Sequence, residues 1–208
     1  MSSKPKTPLA LGILISGRGS NLRAIDQAIK AGLLSAHIAM VISSDPNALG
    51  LQWAKTENIE CCGLNPKDFP SKEAYEGHVL ARLKKAQVGL LVLAGYMLLL
   101  GKTIIKQYRG RILNIHPSLL PAFKGLHPQR QALEYGVKIS GCTVHFVDEG
   151  MDTGPIILQK SVPVMEDDSE EILSERILKE EHQCYARAIQ MFAEGRLQLQ
   201  GRTVRVKS

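Results

Sequence analysis

The sequence predicts an α/β fold: a doubly wound, mainly parallel sheet with helices on both faces. Three observations predict it. Short apolar runs alternate along the chain with amphipathic stretches, the order that builds a parallel sheet. The run at residues 88–94 is apolar on both parities, as a strand covered on both faces must be. A glycine-bearing loop, Ser16-Gly17-Arg18-Gly19-Ser20-Asn21, joins the first apolar run to the first helical one.

The elements follow in order. Residues 9–15 read as a buried strand, and residues 21–31 have helical spacing at Leu22, Ile25 and Ile29. Strands are expected at 38–42, 59–64 and 88–94, with helices at 48–57, 72–85 and 103–108 between and after them. A strand at 112–115 leads into a Pro-rich loop, and a helix at 129–135 stops at Gly136. Two more strands are expected at 141–147 and 156–164. The longest helix begins at Asp168 or Ser169, either of which can cap it, carries Glu170 and Glu171 in its first turn, and runs to about Ala193 before Gly195.

Composition bounds the function. A chain of 208 residues, 44% hydrophobic and 22% charged, suits one large domain with its own core. No apolar run approaches the length needed to span a bilayer, and MSSKPKTP has no signal-peptide core, so a cytoplasmic protein is expected with no membrane association. The four cysteines, Cys61, Cys62, Cys142 and Cys184, form no C-x-x-C pair and read as reduced thiols. The net charge of +6 is scattered: Lys4 and Lys6 sit near the start, and Arg202, Arg205 and Lys207 near the end. With 5% aromatics and no basic stripe, a small polyanionic substrate fits this charge at least as well as nucleic acid.

In a doubly wound sheet, ligands bind beyond the carboxyl ends of the strands. The loop at residues 16–21 stands at such an end. Its glycines let the backbone approach a ligand, and the helix behind it offers free N–H groups to a phosphate. It lacks the Gly-Lys-Ser/Thr of a P-loop and has Leu22 where a dinucleotide fingerprint needs glycine. A monophosphate site or a well-capped turn both remain open. Asn114 and His116 close a strand with the same parity and face one crevice, a pairing suited to an oxyanion. Asp148, Glu149 and Asp152 lie in the next loop with Gly150 and Gly154. An acid there, close to His116, would raise the histidine pKa. The loop does not have calcium spacing, and a solvated acidic turn is the alternative.

Five segments carry a resemblance: SGRGSNL at 16–22, LAGYM at 93–97, LNIHPSLLP at 113–121, HFVDEGMDTGPII at 145–157 and EEH at 180–182. Together they resemble the formyltetrahydrofolate-dependent formyltransferases over about residues 11–197. The SGRGSN loop is similar to the branch that acts on glycinamide ribonucleotide. The resemblance implies formyl transfer from 10-formyltetrahydrofolate, as co-substrate and without a metal, to the amine of 5-phosphoribosylglycinamide in purine synthesis. Asn114, His116 and Asp152 match the catalytic trio, with Asp152 expected to raise the His116 pKa. Gly19, Ser20, Asn21 and Glu181 match ribonucleotide contacts. Lys72, Met97, Leu98, Leu99 and Leu100 match the folate pocket, and Asp148, Glu149, Gly150, Met151 and Asp152 the loop over the pterin. Leu98 and Lys72 stand where relatives often carry arginine, and residues 122–127 resemble a mobile loop. The expected organisation is one domain over 1–208, monomeric or homodimeric. It has a phosphate-binding half at about 9–100, a catalytic and folate-binding half at about 101–197 and a polar tail at 198–208. A methionyl-tRNA formyltransferase-like core and a non-catalytic folate- or nucleotide-binding module are the alternatives.

Overall fold

The computed structural model describes residues 7–207, so the arm with Lys4 and Lys6 lies outside the described residues. The first strand, β1 (Leu9–Ile15), leads to α1 (Ser20–Lys30), β2 (Ala36–Ser43), α2 (Leu49–Thr56) and β3 (Cys61–Gly63). After a 3₁₀ turn at Pro66–Asp68 come α3 (Lys72–Lys85), β4 (Leu90–Leu93), α4 (Lys102–Gln107) and β5 (Ile112–His116). Then follow α5 (Pro128–Tyr135), β6 (Ile139–Phe146), β7 (Ile156–Pro163), α6 (Glu170–Ala193), β8 (Leu197–Gln200) and β9 (Thr203–Val206).

One nine-stranded sheet has the order β3-β2-β1-β4-β5-β6-β7-β9-β8. The five strands from β3 to β5 are parallel, and β6 and β7 continue the sheet antiparallel. The chain leaves β1 for β2 on one side and returns through β4 on the other, so the topological switch point lies between β1 and β4. That position sets the loops after these two strands beside each other.

Strand parity sorts the core into two layers. Leu90 and Val92 pack with Leu22, Ile25, Leu51 and Tyr185 of α1, α2 and α6. Leu91 and Leu93 pack with Tyr75, Val79, Leu83 and Ile104 of α3 and α4. Both layers therefore cover β4, as its doubly apolar sequence requires. Tyr185, fully buried on α6, donates its hydroxyl to the carbonyl oxygens of Leu93 and Leu113, each at 2.9 Å, and so fixes the long helix under the two central strands.

Ser169 is the cap of α6, accepting the Ile172 N–H. Asp168 instead makes a two-pronged ion pair with Arg176 at 2.6 and 2.7 Å, which resolves the choice left open by the sequence. The four cysteines are free thiols, Cys142 buried and the others half-buried. The stretch from residue 198, expected as a polar tail, is polar and largely exposed but ordered. Residues 197–206 form an antiparallel hairpin that joins β7 through the pair Ile156 and Thr203. No described helix is long and apolar enough to cross a membrane.

Candidate active site

On β5, Leu113 and Ile115 point into the layer of α1 and α6, while Ile112 points into that of α3 and α4. Asn114 and His116 share the parity of Ile112, so both emerge on the α3 side at the carboxyl end of the strand. The loop between β6 and β7 folds back to meet them. Asp152 Oδ1 lies 3.5 Å from Asn114 Nδ2, and Asp152 Oδ2 lies 3.4 Å from His116 Nδ1. The three expected residues are thus brought to one point from two stretches of chain.

The turn that delivers Asp152 demands its sequence. Asp152 has a left-handed backbone, φ 51°, which aspartate tolerates better than most residues. At Gly154 any Cβ would overlap the Phe146 carbonyl, so only glycine lets this loop cross so close to β6.

His116 is buried, 5% exposed, and both its ring nitrogens face acceptors. Nε2 lies 2.8 Å from the Phe123 carbonyl oxygen, and Nδ1 faces Asp152. Burial depresses the imidazole pKa; the Phe123 carbonyl and the Asp152 carboxylate oppose this but do not overcome it. The net value therefore falls below the ordinary 6.5, contrary to the expected rise. Asp152 acts in the expected direction, and desolvation outweighs it. Burial likewise pushes the Asp152 carboxyl up, but bonds from His145 and the Gly125 N–H, with the charge of the two imidazoles, hold it below the usual carboxylate value. The Gly125 N–H donates to Oδ2 at 2.9 Å. Residues 123 and 125 therefore close over both side chains with backbone groups.

His145 completes the cluster and was not singled out from the sequence. It sits on β6 directly opposite Asn114. Its Nε2 lies 3.2 Å from Asn114 Nδ2 and 3.7 Å from Asp152 Oδ1, and its Nδ1 lies 2.8 Å from the Phe146 carbonyl oxygen. Nδ1 thus faces the Phe146 carbonyl, and Nε2 faces both the Asn114 amide and the Asp152 carboxylate, so the ring lines one side of the cluster. The signal available was register alone, since within its apolar strand His145 reads as a core residue.

The first loop builds a second site. Gly19 adopts φ 74°, and a Cβ there would stand 2.7 Å from Gly50 Cα, so the N-termini of α1 and α2 meet only because both residues are glycine. No side chain caps α1, which leaves its first N–H groups to an anion. Ser20 is half-buried beside them. Asn21 donates Nδ2–H to Glu181 Oε2 at 2.9 Å, and both residues are buried. Asn21 Oδ1 is a buried acceptor without a protein partner, poised for an N–H donor. Burial pushes the Glu181 carboxyl up to about 7 against the Asn21 bond, which lowers it. Asn21 comes from the expected first half and Glu181 from the second, so the two halves share this site.

The residues matched to a folate pocket lie together but more openly. Met97 and Leu99 are 65% and 62% exposed, Leu98 is exposed, and Leu100 is half-buried. Their segment ends at Gly101, whose N–H donates to the buried Glu76 carboxylate. Lys72 Nζ lies 3.9 Å from the same carboxylate. Across from the trio, Asp148 Oδ1 accepts from the Gly150 N–H and the Thr153 hydroxyl and so ties its own loop rather than touching His116. Glu149, Gly150 and Met151 are exposed. A cavity of about 580 Å³ lies between α1 and α6, and no residue of the trio lines it.

The formyl transferase family profile matches residues 10–189. The chain belongs to the formyl transferase family. This formyl transferase is 43% identical over 177 residues to the phosphoribosylglycinamide formyltransferase of Bacillus subtilis strain 168, covering 85% of this chain and 91% of that one. It is 48% identical over 187 residues to the trifunctional purine biosynthetic protein adenosine-3 of Drosophila melanogaster, covering 89% of this chain; it spans 14% of the length of that relative. The crystal structure of glycinamide ribonucleotide transformylase 1 from Symbiobacterium toebii superposes with a TM-score of 0.96 at 48% identity, over 98% of this chain and 96% of that one.

Proposed function

We propose that this formyl transferase moves the formyl group of 10-formyltetrahydrofolate to the amine of 5-phosphoribosylglycinamide, a step of purine synthesis, in the cytoplasm. The observation that carries the reading is the meeting of Asn114, His116 and Asp152 at the carboxyl end of β5. The acceptor's phosphate belongs at the N-terminus of α1 with Gly19 and Ser20, and its glycinamide end near Asn21 and Glu181. The unpartnered Asn21 Oδ1 suits an amine or amide N–H. The folate belongs against Met97, Leu98, Leu99 and Leu100, under the loop of Asp148, Glu149, Gly150, Met151 and Asp152, with Lys72 toward its anionic tail.

Transfer is direct. The amine lone pair attacks the formyl carbon, and the carbonyl electrons move to oxygen. Asn114 and His116 donate N–H groups to that oxyanion. Above its lowered pKa the His116 ring is neutral; negative charge growing beside it favours uptake of a solvent proton at the second nitrogen, whose charge Asp152 balances, and that proton returns to solvent as the oxyanion collapses. The carbon–nitrogen bond to the folate then breaks, and the proton lost by the amine passes through water to the folate nitrogen. Holding both substrates in one crevice removes much of the entropic barrier. The Phe123 carbonyl holds His116 Nε2 in the resting arrangement, so residues 117–127 yield that contact when the ring turns an N–H to substrate.

A spectroscopic assay of the folate product tests this, with glycinamide ribonucleotide and charged initiator tRNA offered as separate acceptors. Turnover is expected with the ribonucleotide. Turnover with the tRNA alone overturns the acceptor assignment, and binding of both substrates without product overturns catalysis.

A further inference from the structure

Ser16 stands at the switch point, between β1 and the glycines of the first loop. Its Oγ lies 2.6 Å from Ser44 Oγ, just past β2. The same oxygen accepts the Met97 N–H at 2.9 Å, and the Ser16 N–H donates to the Gly95 carbonyl at 3.0 Å. One half-buried hydroxyl therefore joins the loops that follow β1, β2 and β4. Because Ser16 Oγ accepts from Met97, its own proton is free for Ser44, and the three links do not compete.

The two loops tied in this way carry different substrates on the reading above. Residues 17–21 lead from Ser16 into the acceptor site, and Met97 opens the folate segment. We propose that Ser16 is a positioning residue that couples the two substrate sites, and this rests on the assignment of those sites. Ribonucleotide bound at residues 17–21 fixes Ser16, which fixes the Met97 amide and presents Met97 and Leu99 to the folate. Linkage makes the effect reciprocal. Nothing in the site's chemistry requires this hydroxyl, which touches neither the trio nor the reacting carbon.

Calorimetry with tetrahydrofolate, which has no formyl group to transfer, measures the coupling. Its affinity is read with and without saturating glycinamide ribonucleotide. The wild-type enzyme is expected to bind tetrahydrofolate about fivefold tighter or more when the ribonucleotide is present. Ser16→Ala should bring that ratio toward one, and Ser16→Thr, which keeps a hydroxyl, should restore most of it. Should Ser16→Ala not fold, Ser44→Ala removes the partner that orients the hydroxyl and should lower the ratio. A wild-type ratio of one, or an unchanged ratio in the alanine variants, overturns the coupling while the substrate assignment stands. Failure of the wild-type enzyme to bind either ligand overturns the assignment and the coupling with it.

Discussion

The two proposed substrate sites are built in opposite ways. The proposed acceptor site joins buried side chains on two packed helices: Asn21 on α1 meets Glu181 on α6 across 160 residues of sequence. The proposed folate site presents exposed Met97, Leu99 and Met151 from loops. A small polar acceptor needs fixed hydrogen bonds, and a buried site supplies them at full strength. A large flat folate needs apolar area, which loops can lay over it after it enters. On the proposed assignment the trio stands at the seam between the two, with the Phe123 carbonyl against His116 and the Gly125 N–H against Asp152.

A seam residue should affect turnover rather than either affinity. Asn114→Ala should lower kcat on the order of 10²-fold or more with both KM values changed little. Equal losses in kcat and affinity for one substrate would instead move Asn114 into that substrate's site.

On the buried side, Glu181→Gln should raise KM for the ribonucleotide roughly tenfold or more and leave the folate KM near its wild-type value. Its stability has a definite sign. The folded-state pKa of Glu181, about 7, exceeds its ordinary 4.5, so folding favours the protonated acid. That contribution is complete below pH 4.5 and is lost as pH rises through 7. Glutamine carries no such loss, so the Tm of the variant relative to wild type should climb between pH 5 and pH 8. The trio acts the other way. His116 and Asp152 both have lowered values, so the stability they contribute falls as acid protonates them, from about pH 6.5 downward for His116.

On the open side, Met97→Ala and Met151→Ala should each raise the folate KM several-fold, with Tm unmoved because both side chains are exposed. The smallest effect is expected at Arg202. Its guanidinium donates to the Thr153 carbonyl at 3.1 Å from the C-terminal hairpin, next to Asp152, but it is a surface bond. Arg202→Ala should change the folate KM by about twofold or less, since a single exposed hydrogen bond contributes little. A larger change would mean that the hairpin holds the pterin loop in place.

The same contrast governs what the sequence could disclose. The central strands were legible because Leu90 to Leu93 are apolar on both parities, and α6 because Ser169, two acids and Gly195 mark its ends. Asn114 and His116 stood out as polar groups at a strand end, while Asp152 was singled out among the acids of its loop by the family resemblance. His145 did not, because one imidazole in an apolar strand carries no sign of its partner, and only the pairing of β5 with β6 sets it against Asn114. The hairpin at 197–206 was hidden by its polar alternation, which suits a strand exposed on both faces as well as a tail. The fall in the His116 pKa follows from burial, a property of the whole fold that no local pattern reports.

On the proposed mechanism Asp152, poised against His116 and Asn114, supports the transfer itself. Single-turnover formyl transfer in Asp152→Asn, with both substrates bound beforehand, tests it most directly. A rate at least about 10²-fold below wild type is expected in an enzyme that is folded and saturable. A rate equal to wild type under those conditions would contradict it.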